Sequence, residues 1–172
     1  MKRITILGPS GSGKSTLAVK LGKILGLPVY HIDCFVLDID ESGTWIVKDK
    51  KLVAEQINEI AATKKWIIDG TNRRTLANRF EKSDLIVFLN LPLEDCIEIC
   101  KQRSATKEKR IGIPEFMDYE TENVAGLIAK NIENWTGENR RNLEALLEKY
   151  KSKVTELKSR KQIDDFVATM CP

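Results

Sequence analysis

The chain has 172 residues, of which 42% are hydrophobic and 31% charged, and its formal net charge is +3. This balance is typical of a soluble globular protein and argues against a disordered, collagenous or membrane-spanning chain, since no apolar run approaches the roughly 20 residues that a bilayer span needs. The length suits one hydrophobic core, so we expect residues 1–172 to form a single domain. The small positive excess gives no reason to expect specific nucleic-acid binding.

The cysteines and the single histidine show no pattern of a metal site or a disulfide framework. No CxxC pair is present, and His31 stands alone in the sequence. The N-terminal apolar run, about five residues long, leads straight into a glycine-rich loop and is too short for a secretory signal. We therefore expect a cytoplasmic protein.

Short apolar runs alternate with helical patterns along the chain, which predicts βαβ units and a parallel sheet. In the first half we expect strands at about 4–7, 29–32 and 66–68, and helices at about 15–25 and 49–63. In the second half we expect a buried strand at 85–89, helices at about 93–103 and 124–150, and a fifth strand at 154–157. Ser159 and Gln162 have the spacing of a capping box for a last helix.

The segment from Gly8 to Ser15 reads GPSGSGKS and fits the phosphate-binding pattern G-x-x-x-x-G-K-[ST] completely. It directly follows a predicted strand and directly precedes a predicted helix, which is the context that the motif requires. In such a loop the backbone N–H groups surround the phosphates, Lys14 reaches the β- and γ-oxygens, and the Ser15 hydroxyl is a Mg²⁺ ligand. The sequence therefore predicts a site for ATP and Mg²⁺ at Gly8, Pro9, Ser10, Gly11, Ser12, Gly13, Lys14, Ser15 and Thr16.

Two aspartates, Asp33 and Asp69, follow predicted strands. Because ligands of open α/β sheets bind at the carboxyl ends of the strands, both side chains are candidates to face the phosphates. Either could hold Mg²⁺ through water or accept the proton of an acceptor hydroxyl, and the sequence leaves open which of them is the base. The structural alternative is that Asp33 caps a turn and that Asp69 begins one.

Arginines cluster after the third and fourth predicted strands. Arg73, Arg74 and Arg79 follow Asp69, while Arg103 and Arg110 flank the start of the polar segment SATKEKRIGIPEF. A guanidinium group binds phosphate with two hydrogen bonds and can neutralise charge in the transition state. We therefore expect Arg73 to bind the acceptor and Arg103 and Arg110 to act in catalysis.

The order of these motifs resembles that of P-loop kinases of the adenylate kinase type. GPSGSGKST resembles their first loop, WIIDGTNRR resembles the strand and Asp-Gly-x-x-Arg element at the acceptor site, and LIVFLNLP resembles the strand before their lid helix. Within that group, HID at 31–33, WIIDG at 66–70 and VTELKSRKQIDDF near the C-terminus are similar to the DNA topology modulation protein (FlaR-like) family.

The resemblance implies a P-loop NTPase fold with a five-stranded parallel sheet in the order 2-3-1-4-5. It also implies an acceptor-side insert over about 34–63, a small lid over about 104–122 that follows Arg103 and contains Arg110, and a loop at 158–160 near the adenine.

The function expected from the sequence is transfer of the γ-phosphoryl group of ATP·Mg²⁺ to a nucleotide, a nucleoside or a small hydroxylated metabolite. The alternative is a nucleotide-binding regulatory or DNA-associated protein with weak ATPase activity. Acidic strand ends and an arginine-containing lid favour the kinase, whereas a basic patch on one face would favour the alternative and is not visible.

Overall fold

The computed structural model describes residues 1–39, 45–106 and 124–171. Its elements in chain order are β1 (Arg3–Leu7), α1 (Lys14–Leu25), β2 (Val29–His31), α2 (Asp33–Val36), β3 (Leu37–Ile39), β4 (Trp45–Val47), α3 (Lys50–Ala62), β5 (Trp66–Asp69), α4 (Arg73–Lys82), β6 (Leu85–Leu89), α5 (Leu93–Thr106), α6 (Val124–Trp135), α7 (Gly137–Lys149), a 3₁₀ turn (Lys151–Lys153), β7 (Val154–Leu157) and α8 (Arg160–Met170).

Five parallel strands form the main sheet in the order β2-β5-β1-β6-β7, and β3 and β4 form a separate antiparallel pair. Counted within the main sheet alone, this is the order 2-3-1-4-5 that the resemblance implies, so that prediction is confirmed. The carboxyl ends of β1, β2 and β5 therefore lie side by side, and the segments that follow these strands meet at one edge of the sheet.

Apolar side chains of the sheet pack against helices on both of its faces. On one face Ile6 and Val87 pack with Leu17 and Leu21 of α1, and part of α8 adds to this cluster. On the other face, Phe88 packs with residues of α4, α6 and α7. Since β6 is covered from both sides, its run Leu-Ile-Val-Phe-Leu is apolar throughout.

The structure corrects the predicted helices in two places. The helix expected over about 124–150 is broken at Thr136, whose backbone is extended, and at Gly137, whose φ of 56° is left-handed. Helix α4 was not predicted; it is capped by Asn72, whose side chain accepts a hydrogen bond from the Arg74 N–H. Its buried face carries Leu76 and Phe80 among many polar residues, so the helical periodicity is weak.

Part of the predicted inserts falls outside the described residues. Within 34–63 the structure has α2, the β3–β4 pair and α3. Of the lid expected over about 104–122, only residues 104–106 are described, and Arg110 lies outside the described ranges. None of the helices in the described ranges combines the length and apolar composition that a membrane span requires.

Candidate functional site

The glycine-rich loop between β1 and α1 has backbone angles that only glycine adopts readily. Gly11 and Gly13 have φ values of 84° and 94°. A Cβ at Gly11 would lie 2.2 Å from the carbonyl oxygen of Cys96 in α5. The loop therefore packs backbone to backbone against α5, and this contact fixes its shape.

Two side chains from distant parts of the chain hold the loop. Asn131 of α6 accepts a hydrogen bond from the Ser10 N–H at 2.9 Å and donates one to the Ser10 carbonyl oxygen at 3.2 Å. Arg160 at the start of α8 donates to the carbonyl oxygens of Ser12 at 2.7 Å and Gly11 at 2.9 Å. The resemblance pointed to a loop at 158–160, but no sequence pattern singled out Asn131.

Lys14 and Ser12 complete the loop. The ammonium group of Lys14, the first residue of α1, donates a hydrogen bond to the Pro9 carbonyl oxygen at 2.8 Å. The Ser12 hydroxyl is buried and has no hydrogen-bond partner among the described residues. Buried polar groups are normally paired, so this hydroxyl fits a loop built to receive phosphate oxygens.

The oxygen donors near the loop fit Mg²⁺. Ser15 and Thr16 lie in the first turn of α1, and Asp33 is the first residue of α2. In the described ranges no cluster of three or more His, Cys, Asp or Glu side chains could hold a metal by itself. Mg²⁺ usually takes one or two protein oxygens and fills its octahedron with waters and substrate phosphates, and the Ser15 hydroxyl and the Asp33 carboxylate are oxygen donors of that kind.

A cavity of about 410 Å³ opens beside the loop. The P-loop contributes Gly8, Ser10 and Lys14 to its wall, and Asp33 lines the same space. The remaining lining residues come from the β2–α2 junction, α2, the segment before α3, α3, the β5–α4 connection, α4 and α6: Ile32, Val36, Lys48, Lys50, Val53, Gly70, Thr71, Asn72, Arg73, Arg74, Lys130, Asn131, Asn134 and Trp135. The structure thus places Lys14, Asp33 and Arg73 in the wall of one cavity.

Asp69 lies beneath the cavity rather than in its wall. Its residue exposure is 2%, and its Oδ1 lies 2.8 Å from Nδ1 of His31, which is itself 8% exposed. His31 and Asp69 are register partners in β2 and β5, so the parallel pairing places the two side chains together. His31, isolated in the sequence, therefore has an ionisable neighbour that no local spacing shows.

A buried arginine adds to this pair. Arg79 of α4 is fully buried and donates a hydrogen bond to the Gly70 carbonyl oxygen at 3.0 Å. Burial lowers the pKa of the Arg79 guanidinium to about 9, and the nearby carboxylate of Asp69 opposes that shift. His31, Asp69 and Arg79 are thus three buried ionisable side chains near the carboxyl end of β5.

Arg73 is held by the corner between α6 and α7. Its guanidinium donates to the side-chain and backbone oxygens of Asn134, and to the Asn139 carbonyl oxygen at 3.0 Å. Burial lowers the pKa of Arg73, and Glu133 opposes the shift. Arg73 therefore lines the cavity with its donors already engaged by the protein.

Arg103 is linked to the loop through Cys100. It is half-buried near the end of α5, with one guanidinium nitrogen 4.0 Å from the Cys100 sulfur. That sulfur in turn lies 3.0 Å from where a Cβ of Gly11 would stand. Arg103 does not line the cavity described above.

Comparison with known proteins shows likeness in structure alone. No family model matches the chain, and no curated protein matches it in sequence.

Three solved structures illustrate the likeness. Shikimate kinase from Acinetobacter baumannii in complex with shikimate has a TM-score of 0.55 and 14% identity, over 99% of this chain and 90% of that one. Shikimate kinase from Aquifex aeolicus has a TM-score of 0.54 and 20% identity, over 98% and 92%. A gluconokinase from Sinorhizobium meliloti has a TM-score of 0.55 and 14% identity, over 98% and 89%. Across nearly its whole length, the chain therefore has the fold of P-loop kinases.

Proposed function

We propose that the protein is a phosphotransferase that moves the γ-phosphoryl group of ATP·Mg²⁺ to the hydroxyl group of a small acceptor. One observation carries the proposal: the phosphate-binding loop with Lys14 and the carboxylate-bearing residue Asp33 line one cavity of about 410 Å³. This volume is in the range of small-molecule sites, so an acceptor can lie directly beside the phosphates. The fold shared with shikimate kinase and gluconokinase supports the same reading.

In this proposal the chain contributes position and charge. Lys14 exchanges its hydrogen bond with the Pro9 carbonyl for one with a phosphate oxygen, while Gly11 and Gly13 allow the backbone N–H groups to approach the anion. Mg²⁺, held by Ser15 and through water by a carboxylate, supplies neutralisation of the phosphate charge when it is bound.

Asp33 is the better candidate for the base. It lines the cavity, whereas Asp69 is buried and paired with His31, so only Asp33 is placed to accept the proton of an acceptor hydroxyl there. We assign to Asp69 a supporting role in positioning the ends of β2 and β5. Arg73, fixed by Asn134 and Asn139, is proposed to hold the cavity wall against which the acceptor lies.

The finer classification is also part of the proposal. The motifs GPSGSGKST, WIIDGTNRR and LIVFLNLP support placement among adenylate-kinase-related enzymes, and HID with WIIDG supports the DNA topology modulation protein family. We propose that the protein works in the cytoplasm, with nucleotide and a small-molecule acceptor as its partners.

The test is acceptor-dependent ADP release. The protein is incubated with ATP, Mg²⁺ and one member of a panel of nucleoside monophosphates, nucleosides and hydroxy acids. ADP and phosphorylated acceptor are then measured, and we expect them to form in equal amounts. Asp33→Asn should lower kcat by about 10²- to 10⁴-fold, the usual contribution of a general base, with little change in ATP binding. Asp164→Asn, at an exposed site in α8, is the matched control.

Slow ATP hydrolysis that no acceptor stimulates, and that Asp33→Asn leaves unchanged, would contradict the proposal. That outcome would favour the regulatory or DNA-associated alternative instead.

A further inference from the structure

The cavity beside the phosphate-binding loop is strongly cationic. Among the described residues that line it, six are basic and one, Asp33, is a carboxylate. The basic residues are Lys14, Lys48, Lys50, Arg73, Arg74 and Lys130. For the whole chain, by contrast, 28 basic residues stand against 25 acidic ones, so the positive excess is concentrated here.

The six basic side chains differ in whether other groups of the protein already engage them. Lys14 belongs to the phosphate-binding loop, and the guanidinium of Arg73 is engaged by oxygens of Asn134 and Asn139. Lys50, Arg74 and Lys130 are exposed and, within the described ranges, form no side-chain ion pair or hydrogen bond.

Seven cations elsewhere in the described part of the chain have a carboxylate partner. Lys51, next to Lys50, lies 3.9 Å from Glu55, and Arg3 lies 2.7 Å from Asp84. Further pairs are Lys101–Glu98, Arg140–Glu144, Lys151–Glu148, Lys158–Glu156 and Lys161–Asp165. Lys50, Arg74 and Lys130 have no such partner in the ranges that the structure describes, and they come from three helices around one cavity. They are therefore suited to bind an anionic ligand.

The rest of the wall indicates a small organic ligand rather than a bare ion. Ile32, Val53 and Trp135 give the cavity an apolar part that can contact a carbon skeleton. Asp33 would repel an anionic group but can accept a hydrogen bond from a hydroxyl. The wall thus offers partners for an anionic group, for a hydroxyl group and for a carbon skeleton of one molecule.

We propose that the phosphoryl acceptor is itself an anion, a hydroxylated compound with a carboxylate or phosphate group that Lys50, Arg74 and Lys130 bind. This inference rests on the proposed kinase function. In the reaction the acceptor hydroxyl oxygen forms a bond to the γ-phosphorus, and the bond from that phosphorus to the β–γ bridging oxygen breaks. ADP leaves with the electron pair, and the hydroxyl proton goes to the Asp33 carboxylate.

Matched pairs of compounds test the charge requirement. Each pair has the same skeleton with and without the anion: a nucleoside monophosphate and its nucleoside, a sugar phosphate and its sugar, a hydroxy acid and its amide. ADP release and calorimetric binding to the protein saturated with Mg·ADP are measured for both members. In at least one pair we expect the charged compound to bind, and to be phosphorylated, at least tenfold better than the neutral one. Comparison of the phosphate pairs with the carboxylate pair then shows which anion the site prefers.

Variants of the three cations test the location. Lys50→Gln, Arg74→Gln and Lys130→Gln should each raise the KM or Kd of the charged compound about three- to tenfold, with smaller changes in kcat and in the KM for ATP. Higher salt should weaken the same interaction, because the three side chains are exposed. Lys64→Gln is the control and should behave as wild type. Lys64 is exposed and lies between α3 and the amino end of β5, whereas the cavity lies at the carboxyl ends of the strands.

Failure of this inference can be distinguished from failure of the kinase function. If a neutral member is phosphorylated as well as its charged partner, or if the three variants match Lys64→Gln, the anion site is wrong and the kinase stands. If no charged member binds, the anion site is also wrong. If charged compounds bind through the three cations without ADP release, the site stands and the kinase function fails.

Discussion

Asp33 and Asp69 lie close together in the fold but in different environments. Asp33 begins α2 and lines the cavity, while Asp69 ends β5 and is buried against His31 with Arg79 nearby. A buried cation is costly unless a counter-charge is close. We therefore expect the carboxylate of Asp69 to stabilise the fold, through the nearby Arg79 guanidinium and the contact with His31.

Asp69→Asn should therefore destabilise the fold. Removing the carboxylate leaves the buried Arg79 guanidinium without its counter-charge, which we expect to cost about 3 kcal/mol in the free energy of unfolding. Urea denaturation at pH 7 measures this, with Asp33→Asn as the comparison. Equal stability of Asp69→Asn and wild type would show that the buried pair contributes little.

Lys14→Ala, by contrast, should weaken ATP binding without lowering the stability of the fold. The Lys14 ammonium contacts only the Pro9 carbonyl oxygen among the described residues, so its loss should leave the fold intact while reducing ATP affinity and abolishing transfer. Calorimetry with ATP·Mg²⁺ and a thermal melt are the two measurements. Wild-type ATP affinity in the variant would contradict the assignment of the loop.

Asp84 gives the fold a defined acid dependence. Burial would raise the pKa of its carboxyl, but hydrogen bonds from the Arg3 side chain and from the N–H groups of Lys2 and Arg3 outweigh burial and lower the pKa. The unfolded chain then binds the proton more tightly, so this stability is present above pH about 4 and is lost as the pH falls through the folded pKa.

Asp84→Asn should lower the stability at pH 7 by about 1 kcal/mol, because the pair is partly exposed. At pH 3 the difference between variant and wild type should be smaller. Urea denaturation at the two pH values tests this, and an equal difference at both would contradict the role of the charge.

At the scale of single residues, sequence could predict Lys14 and Asp33 but not their supporting partners. The glycine-lysine-serine spacing is local, so it can be seen along the chain. Asn131 contacts Ser10 across 121 residues and Arg160 contacts Ser12 across 148, and no local pattern records such contacts. The pairing of His31 with Asp69 likewise follows from strand register, which appears only once the sheet is formed.

Among the elements, α8 contacts the phosphate-binding loop through Arg160, which is far from the loop in the sequence. Arg160→Ala removes two hydrogen bonds to the loop carbonyls, and because Arg160 is exposed the loss should cost little stability. We expect ATP affinity to fall about tenfold, since the loop must then be ordered by the ligand. Lys161→Ala, one residue further on and paired with Asp165, is the control.

An unchanged Kd for ATP in Arg160→Ala, measured by calorimetry beside Lys161→Ala, would show that the loop is ordered without Arg160.

Elements with a clear hydrophobic pattern were predicted accurately from the sequence. The apolar strand Leu85–Leu89 was predicted with its exact bounds, and the helix now bounded as Lys50–Ala62 was predicted within one residue at each end. Helix α4 was missed because Arg79, a polar residue in the sequence, is fully buried in its inner face. The break between α6 and α7 depends on one left-handed glycine inside an otherwise helical pattern.

For the molecule as a whole, the alternation of strands and helices predicted the α/β class, while the strand order came from the resemblance to known kinases. Periodicity cannot give strand order, because that order depends on which strands pair after the chain has folded.

The charge of the whole molecule predicts weak binding to duplex DNA. Its net charge is only +3, and many surface cations are paired with carboxylates. We expect binding that is non-specific and falls steeply with salt. Nanomolar affinity at about 0.15 M salt without nucleotide, measured by fluorescence anisotropy, would reverse our ranking of the kinase over the DNA-associated alternative.

The contacts of the phosphate-binding loop also set the order in which the site can mature during synthesis. The loop leaves the ribosome before its partners Asn131 and Arg160, which follow more than a hundred residues later, and β7 must still pair with β6. A nascent chain arrested before residue 131 should therefore bind ATP poorly although it carries the whole GPSGSGKS motif. Nucleotide can then stabilise the chain once Asn131 and Arg160 have been synthesised, but it cannot act as a template for the first steps of folding.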